Sequence, residues 1–84
     1  MNVSFSPGAW VDYLYWQTID KKMVAKIDTL IKEMSLTPTQ GKGNPEELRH
    51  QWTGWWSRRI DQELRLVYRV LDGTIQIAQC RMHY

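Results

Sequence analysis

The chain has 84 residues and a formal net charge of +2, with 11 Lys and Arg against 9 Asp and Glu. This length allows one domain over residues 1–84, and the small net charge excludes a polycation that binds nucleic acid by bulk charge alone. The single cysteine, Cys80, cannot form an internal disulfide, and no signal peptide or apolar span of about 18 residues is present. We therefore expect a cytoplasmic protein that does not associate with membranes.

The N-terminal half predicts a short strand followed by two helices. Residues 2–5 are β-prone, and Ser6-Pro7 is typical of a helix start, with serine as the cap and proline at the first helical position. The spacing of apolar residues predicts one helix near 7–17 and a second one that begins after Asp20. A break of two or three residues between them makes a helical hairpin.

The C-terminal half predicts a sheet. Residues 35–46 contain two prolines, two glycines and no periodicity, which indicates an irregular loop. Beyond this loop the apolar pattern alternates, and it predicts strands at 48–52, 55–60, 64–71 and 74–83. The fold class is therefore α+β, in the order β-α-α-β-β-β-β. The helical hairpin packs on one face of a small antiparallel sheet, as in microbial ribonucleases, and the other face is open.

Two registers are possible for the last hairpin. A two-residue loop over Asp72-Gly73, a strong hairpin signal, puts Arg65 and His83 on opposite faces of the sheet. A three-residue loop over 71–73 instead puts the following side chains on one face: Arg65, Val67, Arg69, Ile75, Ile77, Gln79, Arg81 and His83. We favour the second register because it leaves an apolar set to be buried under the helices: Leu64, Leu66, Ala78 and Cys80.

Arginines mark the half of the chain that we expect to face phosphate. All six arginines follow the last lysine along the chain, and a planar guanidinium suits phosphate better than an ammonium group does. Our candidates for contact with RNA phosphates are Arg59, Arg49, Arg81 and Lys42.

Four residues form a minimal set for cutting RNA without a metal: Glu46, Arg65, His83 and Tyr84. A base removes the proton from a 2′-hydroxyl, a cation stabilises the phosphorane, and an acid protonates the leaving oxygen. Each residue also has a plain structural interpretation: a solvated loop carboxylate, an ion pair of Arg65 with Glu63 or Asp61, and an exposed or apolar chain end. The two histidines and one cysteine lack zinc-site spacing, so we expect no metal or cofactor.

Five stretches together resemble the YoeB (Txe) toxins of the RelE/ParE toxin–antitoxin superfamily. They are Trp-x-Asp-Tyr-x-Tyr-Trp (10–16), Gly-Lys-Gly-x-Pro-Glu (41–46), Trp-Ser-Arg-Arg-Ile (56–60), Arg-Leu-Val-Tyr (65–68) and Cys-Arg-x-His-Tyr (80–84). The resemblance implies a ribosome-dependent endoribonuclease that cleaves messenger RNA in the A site of the 30S/70S ribosome and stops translation. It also implies a cognate antitoxin and a homodimer.

The resemblance implies a role for each member of the catalytic set. Glu46 matches the candidate general base of the family, Arg65 the cation that stabilises the transition state, and His83 the candidate general acid. Tyr84 matches the terminal tyrosine that orients the substrate or the leaving group. The chain departs from the pattern at Glu47, where a proline is expected. The carboxylate of Glu47, next to Glu46, favours a raised pKa of Glu46.

Two other functions remain open from the sequence. A toxin of the same superfamily that binds and inhibits a protein such as DNA gyrase needs the fold but not the catalytic set. An RNA-binding module uses the arginine face without any chemistry. Discrete cleavages within codons distinguish the nuclease from both.

Overall fold

A computed structural model describes residues 1–83. Its elements are β1 (Asn2–Phe5), α1 (Pro7–Ile19), α2 (Lys21–Leu36), β2 (Glu46–Glu47), a 3-10 turn (His50–Trp52), β3 (Trp56–Arg59), β4 (Leu64–Leu71) and β5 (Thr74–His83). The α+β class and the order β-α-α-β-β-β-β are confirmed. Neither helix within residues 1–83 is long and apolar enough to cross a membrane.

Local capping sets the ends of the two helices. Ser6 starts α1 as predicted, since its Oγ accepts a hydrogen bond from the N–H of Ala9 over 3.0 Å. Asp20 serves both helices. Its own N–H donates to the carbonyl of Trp16 over 2.8 Å and closes α1, while its Oδ1 accepts from the N–H of Lys22 over 3.1 Å and opens α2. The break between the helices is therefore this one residue, shorter than predicted.

The five strands form one mixed sheet in the order β1-β5-β4-β3-β2. The four later strands pair antiparallel to one another, as predicted, but β1 lies parallel to β5, with Asn2 opposite Thr74 and Phe5 opposite Ile77. The prediction of a purely antiparallel sheet is wrong at this edge. No hairpin fixes the direction of β1, because both helices separate it from the other strands.

The predicted strand at 48–52 is also wrong. The strand of this region, β2, lies just before that range and pairs with β3 through Glu46–Ser57 and Glu47–Trp56. His50 then adopts a left-handed backbone with φ of 59°, which interrupts an extended chain. The hydroxyl of Thr53 closes the resulting 3-10 turn by donating to the carbonyl of His50 over 2.7 Å.

The core lies between the helices and one side of the sheet, which we call the helix face. α2 contributes an apolar stripe at helical spacing, and β4 and β5 contribute the opposing side chains; the buried cluster includes Met23, Ile27, Leu30, Met34, Leu66, Tyr68, Ile75, Ile77 and Cys80. We call the other side of the sheet the second face. Val67 is 0% exposed without belonging to this cluster, so the second face is not open along its whole length.

The last hairpin has the two-residue loop that we did not favour. Leu71 pairs with Thr74, and both Asp72 and Gly73 have positive φ, as a type I′ turn requires. Ile75 therefore joins the core on the helix face, where the favoured register had placed it on the other face. Ile77 also lies in the core on the helix face, and not on the other face as the favoured register had placed it.

Candidate active site

The sheet brings three charged residues of the predicted site to the second face. Glu46 pairs with Ser57 across β2 and β3, and Arg59 pairs with Arg65 across β3 and β4. Paired residues share a face, and so do residues two apart along a strand, such as Ser57 and Arg59. Glu46, Arg59 and Arg65 therefore occupy one surface.

Arg65 is buried at the centre of that surface, with 5% of its area exposed. Its Nη1 donates to three backbone carbonyls of the adjoining turn, those of Asp61 at 3.1 Å, Gln62 at 3.3 Å and Leu64 at 3.2 Å. The turn thus orients the guanidinium before any substrate arrives. A planar guanidinium oriented in this way suits a contact with an anion such as a phosphate.

Asp61 shapes the same turn. Its Oδ1 accepts from the N–H of Leu64 over 2.8 Å and from the N–H of Glu63 over 2.9 Å. The hydrogen bond from Leu64 is the largest cause that holds the pKa of Asp61 below its usual value, and the charges of Lys26 and Arg65 add to it. Asp61 and Arg65 therefore interact electrostatically, while Arg65 Nη1 donates its hydrogen bonds to carbonyls of the turn.

Glu46 is exposed on the edge strand β2. Its Oε1 accepts from the side-chain amide of Asn44 over 3.1 Å, and Asn44 itself has a left-handed backbone with φ of 50°. A solvated carboxylate at a sheet edge is reachable by a substrate, and the amide contact orients it without removing its charge.

Arg58 is a residue of the site region that the sequence analysis missed. Its side chain is 0% exposed and lies on the helix face, next along β3 from Arg59. Its guanidinium donates to four acceptors: Tyr68 Oη at 3.0 Å, Lys42 O at 3.2 Å, Thr37 O at 2.5 Å and Gln40 O at 2.8 Å. One buried cation therefore fastens the loop that precedes Glu46 to the centre of the sheet.

Tyr68 completes this anchor. Its hydroxyl accepts from Arg58 Nε and donates to the carbonyl of Pro38 over 2.5 Å. Burial raises the pKa of Tyr68, while the nearby charge of Arg58 opposes that shift. The end of the loop is fixed separately, because the N–H of Arg59 donates to the carbonyl of Gly43 over 2.6 Å.

Side chains of α1 bind the backbone of β5 where β1 stops. The last pair of the parallel ladder is Phe5–Ile77. Beyond it, three α1-side residues satisfy the exposed edge of β5: Ser6 Oγ donates to Ala78 O at 2.9 Å, Asp12 Oδ2 accepts from Cys80 N at 3.2 Å, and Trp16 Nε1 donates to Cys80 O at 2.9 Å. These contacts coincide with two register shifts in the β4–β5 ladder.

The two shifts together move the pairing by two residues, so they turn Cys80 into the core and leave His83 on the face that the two-residue loop sets. Arg65 pairs with Met82, and Leu64 pairs with His83. Alternation assigns His83 to the face of Leu64 and not to that of Arg65, so the expectation of a shared face is wrong. His83 is exposed and lies one residue along the strand from the partner of Arg65. Tyr84 lies outside the described residues.

The remaining phosphate candidates lie in different places. The guanidinium of Arg81 lies 3.8 Å from the ring centroid of Tyr15 on α1, so Arg81 does not share a face with Arg65 as expected. Arg49 is exposed between β2 and the 3-10 turn. Lys42 and Arg59 line a common cleft beside α2. No group of three His, Cys, Asp or Glu side chains within residues 1–83 is arranged to hold a metal ion.

Solved structures of known toxins have the same fold and a similar sequence. A YoeB/ParE toxin from Agrobacterium tumefaciens matches with a TM-score of 0.95 and 43% identity, covering 100% of both chains. A YoeB dimer from Staphylococcus aureus matches with a TM-score of 0.94 and 49% identity, covering 100% of this chain and 98% of that one. The same organism's toxin has been solved as a heterotetrameric YoeB–YefM toxin–antitoxin complex, with a TM-score of 0.93, 49% identity and the same coverage. The architecture is thus that of a toxin of a toxin–antitoxin system.

Sequence comparison gives the family. The model of the YoeB-like toxin of bacterial type II toxin–antitoxin systems matches residues 5–84. Toxin YoeB of Escherichia coli K12 is 54% identical over 84 residues, covering 100% of both chains. The chain belongs to the YoeB-like toxin family, which confirms the resemblance drawn from its motifs.

Proposed function

We propose that the chain is an endoribonuclease that cuts messenger RNA in the A site of the ribosome and so inhibits translation in the cytoplasm. The observation that carries the proposal is the buried guanidinium of Arg65, oriented by turn carbonyls and sharing a surface with Glu46 and Arg59. That arrangement supplies a fixed positive charge where a phosphorane develops negative charge. Membership in a toxin family supports the same conclusion.

The chemistry needs a base and an acid on either side of the phosphate. Glu46 accepts the proton of the 2′-hydroxyl, whose oxygen then attacks the adjacent phosphorus and displaces the 5′-oxygen. His83 gives its proton to that leaving oxygen, and Tyr84 orients the substrate. Because β5 directs His83 away from the face of Arg65, the imidazole must turn around the exposed strand end to reach the same phosphate.

The ribosome supplies substrate geometry in this proposal. Glu46, Arg59 and Arg65 lie on one face of the sheet, and Glu46 is exposed at its edge. Holding messenger RNA in a reactive conformation therefore falls to the ribosome, and naked RNA should be cut slowly.

An antitoxin and a second copy of the chain are the proposed protein partners. The Staphylococcus aureus relatives form a dimer and a YoeB–YefM complex. α1 presents large apolar side chains to solvent, namely Trp10, Val11, Leu14 and Ile19. Such an exposed apolar surface is typical of a protein interface.

Programmed ribosomes test the proposal. The protein is added to ribosomes that hold a defined codon in the A site, and transcript ends are mapped. We expect cleavage within that codon by the wild type, and a loss of at least about 100-fold for Arg65→Lys, because lysine cannot replace the oriented guanidinium. The matched control is Arg69→Lys, because Arg69 is also on β4 but donates to Gln76 Oε1 over 2.7 Å, and this variant should cut nearly as fast as the wild type.

The fold of Arg65→Lys is checked by its thermal unfolding transition. A folded Arg65→Lys protein that cuts at the wild-type rate would contradict the assignment of Arg65. Absence of any cut by the wild type on ribosomes, together with translational arrest in cells, would contradict the nuclease itself.

A further inference from the structure

A cleft beside the proposed active site carries a concentration of positive charge. It has a volume of about 370 Å³ and lies between α2, the loop before β2 and the end of β3. α2 contributes Lys26 and Leu30, the loop before β2 contributes Lys42 and Gly43, and β3 with the residue after it contributes Arg59 and Ile60. We call this the basic cleft.

The charges of the basic cleft are unbalanced. Its three cations, Lys26, Lys42 and Arg59, exceed the net charge of +2 of the whole chain. Within residues 1–83, no Asp or Glu lines it. Asp61 lies close enough for Lys26 to lower its pKa, but its strongest interaction is with the N–H of Leu64. The cleft therefore favours an anionic ligand by charge complementarity.

The floor of the basic cleft selects the kind of anion. Leu30 and Ile60 are buried beneath it, and no aromatic ring lines it within the described chain. Base-stacking surfaces are built mainly from aromatic rings, so within the described residues the cleft offers only the guanidinium of Arg59 for stacking on a base. Cations on an apolar floor suit instead the phosphates and sugars of a nucleic-acid strand, without reading its sequence.

The basic cleft is continuous with the proposed catalytic surface. Arg59 lines the cleft and pairs directly with Arg65 across the sheet. Because α2 covers the helix face and Arg65 lies on the second face, a strand whose scissile phosphate lies at Arg65 turns around the end of β3 at Arg59 and brings a neighbouring phosphate to the cleft. Gly43 lets the loop pack directly against β3 and α2 at this point, because a Cβ there would lie 3.0 Å from Arg58 Cβ, Arg59 O and Leu30 Cδ2.

We propose that the basic cleft binds the ribose-phosphate backbone of single-stranded RNA, with Lys26 of α2 as a phosphate-contacting residue. The inference rests on the proposed nuclease function, since it extends the path of the RNA that Arg65 engages. Lys26 contributes affinity and no chemistry. Its contact is independent of base sequence.

Salt-dependent binding tests the proposal. The probes are uridine and adenosine oligoribonucleotides with 2′-O-methyl groups, which cannot be cut, and binding is followed by fluorescence anisotropy over a series of salt concentrations. We expect Lys26→Ala to weaken both probes severalfold at low salt and to make the plot of log K against log salt shallower by about 0.7, the value for one lost phosphate contact on a single strand. Lys32 is an exposed lysine of α2 outside the cleft, so Lys32→Ala should leave the affinity and the salt dependence unchanged for both probes.

Three results would overturn the proposal. Lys26→Ala could bind RNA with the same affinity and the same salt dependence as Lys32→Ala. The wild type and Lys26→Ala could both prefer one base strongly and to the same degree, which would place the RNA-binding site outside the cleft. A poly-glutamate peptide of equal charge could bind as tightly as RNA with the same loss in Lys26→Ala, which would make the cleft a general anion site. Because the binding assay needs no cleavage, a wild type that cuts nothing on ribosomes would contradict the nuclease while leaving the cleft intact.

Discussion

Trp16 donates its indole N–H to the carbonyl of Cys80 over 2.9 Å, and so joins the middle of α1 to β5 only three residues before His83. β1 has already ended at this point, and Asp12 binds the N–H of the same residue. Side chains of α1 thus form the hydrogen bonds with β5 that a longer β1 would form. They satisfy an edge that would otherwise expose backbone groups, and they coincide with the bulges that turn Cys80 into the core.

Replacing Trp16 with phenylalanine should destabilise the protein by about 2 kcal/mol, because the buried carbonyl of Cys80 loses its donor while most of the ring area is kept. Urea unfolding measures the change. The matched control is Trp10→Phe, since Trp10 is on the same helix but 46% exposed. We also expect faster amide exchange over the last residues of β5 in Trp16→Phe alone. Equal stability of the two variants would show that the hydrogen bond contributes nothing.

The contacts of α1 with β5 also explain what the sequence could not predict. Helix caps at Ser6 and Asp20 depend on neighbouring residues, and the alternation that predicts β4 and β5 is local as well. The positions of their side chains near the chain end depend on Trp16, which is 64 residues away from Cys80. A register count from the hairpin cannot include such a contact, which turns Cys80 to the helix face between two shifts. The two shifts cancel for later residues, so the wrong face predicted for His83 came from the choice of a three-residue loop.

Arg58 shows the same limit for the candidate site. Arg58 shares a face with Trp56, which packs against the core, and an interior guanidinium needs acceptors, which are here carbonyls of an irregular loop. No pattern of residue types reveals where such carbonyls point. Arg65 was predicted because a charged residue is uncommon at a mid-strand position, Arg59 from its parity with Ser57, and Glu46 as a carboxylate at the end of a loop; the pairing of the strands brings the three together.

The anchor formed by Arg58 and Tyr68 should be needed for the loop before Glu46. Tyr68→Phe removes the acceptor of Arg58 Nε and the donor to Pro38 O, which should cost about 1–3 kcal/mol because Arg58 is buried and Pro38 partly buried. Limited proteolysis should then cut faster between residues 37 and 45. Tyr15→Phe, an exposed tyrosine, is the control for loss of a hydroxyl. An unchanged proteolysis rate in Tyr68→Phe would mean that the loop does not depend on this anchor.

Gly43 should tolerate alanine less well than Gly54 does. Both glycines have positive φ, 83° and 92°, so alanine is strained at either position by about 1 kcal/mol. At Gly43 the added Cβ also meets Arg58 Cβ and Arg59 O at 3.0 Å, whereas at Gly54 it meets no atom of residues 1–83 within 4 Å. The free energy of unfolding, measured for both variants, should therefore fall further for Gly43→Ala. Equal losses would show that the loop moves aside without cost.

Cys80 should make the protein less stable at alkaline pH. Burial, with a smaller contribution from the charge of Asp12, raises the pKa of the Cys80 thiol from 9.0 to about 12. Between these values the unfolded chain has lost the thiol proton while the folded chain retains it, so the unfolded state binds fewer protons and stability falls as pH rises. The contribution is fully present below pH 9.0 and is lost progressively up to about pH 12.

Urea unfolding across this pH range measures the effect. The slope attributable to one thiol is at most about 1.4 kcal/mol per pH unit. Cys80→Ala removes the titrating group, so its stability should fall less steeply above pH 9.0 than that of the wild type, although a cavity lowers it at every pH. The native thiol should also resist alkylation by iodoacetamide at neutral pH, because little thiolate is present. Parallel pH profiles for the two proteins, or rapid alkylation of the folded chain, would contradict a buried protonated thiol.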